Sequence, residues 1–185
     1  MVNTWKIKQA RNIIYAGGIV AHPTEAVYGL ACDPLNTQAV LRLATLKNRS
    51  LEKGLILVAS NFEQLEPYVE VTDKIYKKIA ATWPGPITWV LPAKPGISGI
   101  LTGSHTTLAV RVSAHPVVQA LCKECDQPLV STSANVQSSP PARSALAVRR
   151  IFNQKVDLIL HGTVDLSAMP TEIRNATTDE IIRST

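Results

Sequence analysis

At 185 residues the chain has the size of one domain, because single hydrophobic cores usually serve about 100 to 200 residues. With 45% hydrophobic and 18% charged residues it buries enough apolar surface to fold without staples and lacks the signature of disorder. The formal charge of +5 and only three cysteines exclude a disulfide framework, point to a reducing compartment, and favour phosphorylated or polyanionic ligands.

No apolar run reaches the roughly 18 residues that span a bilayer, and the opening Met1-Val-Asn-Thr-Trp-Lys enters a periodic segment rather than a cleavable leader, so a soluble cytoplasmic protein is expected. Trp5, Ile7, Ala10, Ile13 and Ile14 recur at helical spacing, with Asn3 or Thr4 to cap the helix and Gly17-Gly18 to end it. Ile19–Ala21 reads as a short strand stopping at His22-Pro23, and Pro23-Thr-Glu-Ala-Val-Tyr-Gly-Leu30 as a loop leaving its end. A second helix fits Asn36 to Lys47, followed by the basic exit Lys47-Asn-Arg-Ser-Leu-Glu-Lys53 and the apolar strand Leu55–Ala59.

Ser60 with Glu63 reads as a capping box. Thr72-Asp73 opens a helix that puts Ile75, Ile79 and Trp83 on one side, and Trp83-Pro-Gly-Pro86 reads as a turn in which glycine takes a positive φ. Ile87–Leu91 is then a strand, the stretch from Lys94 to Thr107 is rich in glycine and serine, and Leu108–Val112 is a second strand. His115-Pro116 starts a helix. Leu129-Val130 leads as a strand into the polar exit Ser131-Thr-Ser-Ala-Asn135, and a helix near Ser144–Phe152 precedes strands near 156–160, 171–173 and 180–183. Intermingled strands and helices predict an α/β domain on a twisted mixed sheet flanked by helices, one domain over residues 1–185.

The glycine cradles that usually hold nucleotide phosphates are absent, so phosphate would rest on side chains. Lys47, Arg49 and Lys53 are the candidates, with Arg42 one turn earlier. Positions i and i+2 of a helix point about 200° apart, so Lys47 and Arg49 converge only if the helix ends at Asn48; the competing reading is that these cations offset the helix dipole. The hydroxyls and amide of Ser131, Thr132, Ser133 and Asn135 either hold anionic oxygens or cap a turn. Arg111 is either a solvated strand residue or a fork aimed at a carboxylate in a cleft. Cys122-x-x-Cys125 is one pair where structural zinc wants four ligands, so no metal site is expected. Neither His22 nor His105 stands in a triad context, and His115 and His161 read as structural.

The segments Pro23–Leu30, Lys47-Asn-Arg49, Lys53–Leu57, Trp83–Pro86, Leu108–Val112 and Ser131–Asn135 occur in one order that resembles the YrdC-like family, the threonylcarbamoyl-adenylate synthases, from about Ile7 to the C-terminus. The resemblance is to the short, single-domain members. It implies a twisted open α/β sheet with a basic cavity. The activity it implies is a nucleotidyltransferase that joins L-threonine, bicarbonate or CO2 and ATP, with Mg2+, into threonylcarbamoyl-AMP and pyrophosphate.

The product would serve N6-threonylcarbamoyladenosine modification of tRNA, completed by downstream threonylcarbamoyl-transferase complex proteins. By the same resemblance Lys47 and Arg49 are catalytic, and ATP is met by Lys47, Arg49, Lys53, Ser133, Asn135 and Arg183. Threonine is met by Thr24, Tyr28, Arg111, Ser131 and Thr171. Ala26 replaces a second threonine of the commoner motif, and Ala31 stands where glycine is usual. Two other functions compete: an RNA-binding module that holds tRNA or double-stranded RNA on a basic concave surface without chemistry, and a carbamoyl-transfer domain using carbamoyl phosphate.

Overall fold

A computed structural model of the chain describes residues 2–169 and 171–184. Asn3 caps the first helix, α1 (Thr4–Tyr15), by accepting the Lys6 N–H, and Ile7, Ala10 and Ile14 are its buried stripe while Trp5 stays 65% exposed. Strand β1 (Val20–Pro23) follows. The expected long loop after it is a tight turn: β2 (Tyr28–Cys32) begins within it and runs antiparallel to β1, pairing Pro23 with Tyr28. The unbroken apolar run from Tyr28 to Cys32 carries the strand, and the proline restricts only the residue before it.

Helix α2 (Thr37–Lys47) is capped by Asn36 and ends on Asn48, whose φ of 52° is the left-handed conformation that asparagine tolerates. A 3-10 turn (Leu51–Lys53) leads into β3 (Ile56–Ala59). No helix starts at Ser60. Its N–H and hydroxyl both donate to Gln64 Oε1, at 3.0 and 3.1 Å, which closes a turn in place of the expected capping box. Helix α3 (Asp73–Ala80) buries Ile79, and a turn with a cis Trp83–Pro84 bond precedes β4 (Ile87–Pro92). Gly85 does not take the expected positive φ; it is needed because a Cβ there would stand 2.3 Å from the Thr82 carbonyl oxygen.

The short helix α4 (Gly99–Thr102), β5 (Thr107–Val112), α5 (Pro116–Glu124) and β6 (Leu129–Ser133) follow. Helix α6 (Ala145–Phe152), β7 (Leu158–Ile159), β8 (Glu172–Asn175) and β9 (Ile181–Arg183) complete the chain. Among the described residues no helix is long and apolar enough to cross a membrane.

The nine strands of the described residues form one mixed sheet in the order β7-β1-β2-β6-β3-β5-β4-β8-β9. Residues of α2, α3 and α6, among them Val40, Leu43, Ile79 and Phe152, share a core with Leu57, Trp89 and Val110 on one face. On the other face α1 and α5 share a second core with Val20, Ala31, Val58 and Leu129, with Ile56 packed at its edge. Because strand residues alternate between faces, Gly29, Ser131, Ala109, Arg111, Thr88 and Val90 lie on this second face and, with Ile56 at the edge of the helical core, line a hollow.

Candidate active site

The hollow is a cavity of about 590 Å3, inside the range of small-molecule sites. Its floor is set by strand register. Val58 pairs with Arg111, Thr88 with Ile173, and Ile173 with Arg183. Since Trp89 pairs with Val110 in an antiparallel ladder, Thr88 falls beside Arg111. A row Val58, Arg111, Thr88, Ile173, Arg183 therefore crosses five strands. Arg49 and Lys53 enter from the segment before β3, and among the described residues no aspartate or glutamate lines the cavity.

Of the residues expected to bind ligands, Thr24, Tyr28, Arg49, Lys53, Arg111, Ser131, Ser133, Thr171 and Arg183 line this cavity; Lys47 and Asn135 do not. The left-handed Asn48 separates the two cations of the Lys47-Asn-Arg49 motif. Lys47 is buried, and its ammonium donates to the Ser133 carbonyl, to the Asn135 carbonyl at 2.7 Å and to Asn135 Oδ1 at 3.2 Å. Burial, and then the Arg49 charge, lower its pKa to about 8. Lys47 thus fastens the exit of β6 from behind the wall that Ser133 presents to the cavity, while Ser133 donates to Asn135 Oδ1 at 2.6 Å. Arg49 turns the other way, donating to the Gly54 carbonyl at 2.9 Å, with Nε unpartnered.

Arg42, offered as a phosphate contact, is instead spent elsewhere: it makes two bonds to Asp157, at 2.7 and 3.1 Å, and one to the Lys155 carbonyl. Arg111 is not a solvated strand residue. It is 5% exposed, and its Nη1 lies 3.2 Å from Glu25 Oε2 without hydrogen-bond alignment. Burial alone would raise the Glu25 carboxyl, but the Arg111 charge and a 2.7 Å bond from the Ser113 hydroxyl outweigh it and hold the group below the ordinary carboxylate range. A carboxylate of the protein itself, Glu25, thus stands against Arg111, but Glu25 is not among the residues that line the cavity, whereas Arg111 is. Arg183 donates to the Thr171 carbonyl at 2.6 Å, and burial with the Arg111 and Arg49 charges lowers its pKa.

Two predicted threonine contacts have engaged hydroxyls. Thr24 donates to the Val27 carbonyl at 2.6 Å, and Tyr28 donates to the Gly162 carbonyl at 2.7 Å while accepting the Gly162 N–H at 3.1 Å. Each therefore offers the cavity its apolar surface. His22 is neutral, burial having lowered its pKa to about 4. Its Nδ1 carries the proton, because its neighbour at 3.1 Å is the Pro23 carbonyl, which only accepts. The three thiols are buried and all pushed up by burial, and no cluster of three metal-ligating side chains occurs among the described residues. Thr88, Thr102, His105 and Thr107 also line the cavity and were missed; the alternation that placed Arg111 on one face also places Thr107 there.

The family model for Sua5, YciO and YrdC proteins, described as "Telomere recombination", matches residues 12–185. A threonylcarbamoyl-AMP synthase of Photobacterium profundum is 45% identical over 180 residues, covering 96% of this chain and 97% of that protein. One from Coxiella burnetii is 46% identical over 181 residues, covering 97% of each. Sua5 of P. abyssi, solved with L-threonine, superposes with a TM-score of 0.90 at 33% identity over 96% of this chain, which spans about half (52%) of that longer one. E. coli YciO gives 0.87 at 25% identity over 98% of this chain and 89% of its own. With a family match running through most of the chain and near-full-length relatives above 40% identity, the chain belongs to the Sua5/YciO/YrdC family.

Proposed function

We propose that this chain is a threonylcarbamoyl-AMP synthase, a nucleotidyltransferase that joins L-threonine, CO2 or bicarbonate and ATP into threonylcarbamoyl-AMP and pyrophosphate. The adenylate would supply N6-threonylcarbamoyladenosine modification of tRNA, with partner proteins completing the transfer. The observation that carries the reading is the convergence of Arg49, Lys53, Arg111 and Arg183 with the hydroxyls of Ser131, Ser133 and Thr171 around one cavity that no aspartate or glutamate lines among the described residues. The names of the near-full-length relatives and the threonine-bound Sua5 support it.

Such a cavity works by positioning and charge neutralisation, since among the described residues that line it none is an activated nucleophile. The threonine amine adds to CO2 and loses a proton, giving a carbamate. A carbamate oxygen then attacks the α-phosphorus of ATP, forming the P–O bond as the bond to pyrophosphate breaks. Arg49, Lys53 and Arg183 face the phosphates, Arg111 the amino-acid carboxylate, and Thr24 and Tyr28 form an apolar wall. Lys47 acts from behind, holding Ser133 and Asn135 in place. Magnesium arrives as part of the nucleotide substrate, because the lining donors are cations and hydroxyls rather than carboxylates.

The test is pyrophosphate release in ATP, magnesium and bicarbonate. Release that requires threonine is expected, and Arg49→Ala should lower it on the order of 10- to 100-fold, as for loss of a charge-assisted contact. Release indifferent to threonine would discard the reading, and salt-sensitive RNA binding without turnover would favour the RNA-binding module.

A further inference from the structure

Two donors on the cavity floor have no acceptor among the described residues, the Thr88 hydroxyl and Arg111 Nε, while Arg111 Nη1 has only the unaligned Glu25 Oε2 at 3.2 Å. Both residues are buried, Thr88 at 1% exposure and Arg111 at 5%, and both line the cavity. Buried polar groups are nearly always satisfied, so an orphan hydroxyl beside an orphan guanidinium edge calls for an explanation. The sequence makes the hydroxyl conspicuous: Ile87, Trp89, Val90 and Leu91 flank it, and valine would serve an apolar strand as well as threonine in every respect except the O–H.

Register places the two residues side by side on neighbouring strands. The ligand group that complements a hydroxyl and a guanidinium together is an oxygen carrying negative charge. Glu25 backs Arg111 from outside the cavity, its Oε2 3.2 Å from Nη1 without hydrogen-bond alignment, so Arg111 Nε and the Thr88 hydroxyl stay unpartnered. The position also separates this pair from one pair of phosphate-facing cations. Lys53, with the Arg49-bound Gly54, precedes β3 at its Ile56 end, whereas Thr88 shares a row with Val58 toward the other end.

We propose that Thr88 is a substrate-binding residue of this cavity, its hydroxyl donating to one oxygen of the amino-acid carboxylate while the Arg111 guanidinium holds the same group. The assignment rests on the synthase reading and adds to it a contact from β4. Thr88 thereby selects for a free carboxylate, so amino-acid derivatives lacking one are disfavoured by the strand as well as by the arginine.

Calorimetric titration of the full chain with L-threonine, with L-threoninol, in which CH2OH replaces the carboxylate, and with ATP tests this. The wild type should prefer threonine to threoninol. Thr88→Val, which keeps shape and strand preference, should weaken threonine about tenfold or more, leave threoninol and ATP within about twofold, and keep its melting temperature. Thr88→Ser should restore threonine binding, which guards against a packing effect of valine. Equal losses for threonine and threoninol, a loss confined to ATP, or no loss at all would each overturn the assignment, the last by showing that water satisfies the hydroxyl. If wild-type chain binds no threonine, the synthase reading falls and this contact with it. If threonine-dependent turnover survives unchanged in Thr88→Val, only the contact falls.

Discussion

An ammonium group leaves water at tolerable cost only where oxygens replace its hydration. Lys47 has such oxygens from Ser133 and Asn135 but no carboxylate, and its pKa near 8 records the imbalance. Two opposite pH effects follow. Between about 8 and the unfolded value of 10.5 the unfolded chain holds the proton that the folded one has lost, so this group makes the fold more stable as pH rises. Activity goes the other way. The kcat/KM for ATP reports the free protein, so it should fall above about pH 8 as the cation behind the Ser133 wall disappears. Bound triphosphate favours the charged form, so kcat should hold to higher pH. Pyrophosphate release measured from pH 6.5 to 9.5 checks this, and Lys47→Arg should remove the alkaline limb; a limb that persists in the arginine variant would assign it to another group.

At the scale of elements, the cation-bearing turn before β3 is fixed by backbone packing. Gly54 and Gly103 have φ of 61° and 66°, and a Cβ on Gly103 would stand 2.3 Å from the Glu52 carbonyl oxygen and 2.5 Å from the Gly54 nitrogen. Bonds from Leu55 N–H to the Leu101 carbonyl and from Ser104 N–H to the Glu52 carbonyl, at 2.8 and 3.0 Å, clamp the turn onto α4. Backbone atoms cannot step aside as a side chain would. Gly103→Ala should therefore cost roughly 2 kcal/mol or more and raise KM for ATP more than KM for threonine, because Arg49 is anchored on Gly54. Gly96→Ala is the control: its φ of 86° brings conformational strain, but nothing lies within 4 Å, so about 1 kcal/mol is lost with no change in ATP use. Chemical denaturation and steady-state kinetics on both variants decide it. Local chemistry of this kind was legible where one residue sufficed. Asn36, Thr72, His115 and Ser144 cap helices where the sequence predicts them. It was not legible where two readings of one segment compete, as at Ser60, whose donors close a local turn on Gln64 instead of starting a helix, or at Tyr28, where pairing with β1 and β6 draws the apolar run into a strand despite the nearby proline.

Across the whole molecule, the cavity joins residues that only the sheet order brings together: Arg49 after α2, Arg111 on β5 and Arg183 on β9. Family resemblance supplied that grouping, whereas Thr88, inside an apolar run, gave no sign without the register. The grouping is electrostatically one-sided, since Arg183 has its pKa lowered by the Arg111 and Arg49 charges after burial. A fold that holds like charges together is stabilised by whatever anion they bind. At a pyrophosphate concentration about 100 times Kd, linkage gives about 2.7 kcal/mol, and with about 2 to 4 °C per kcal/mol for a chain of this size the melting temperature should rise by about 5 to 10 °C. Sodium chloride of equal ionic strength should do less, because a monovalent chloride screens the cations but cannot bridge several of them at once. Arg183→Gln relieves the repulsion, so the ligand-free variant should melt no lower than wild type while its pyrophosphate shift shrinks. An undiminished shift in that variant would place Arg183 away from the anion and leave Arg49 and Lys53 to hold it alone.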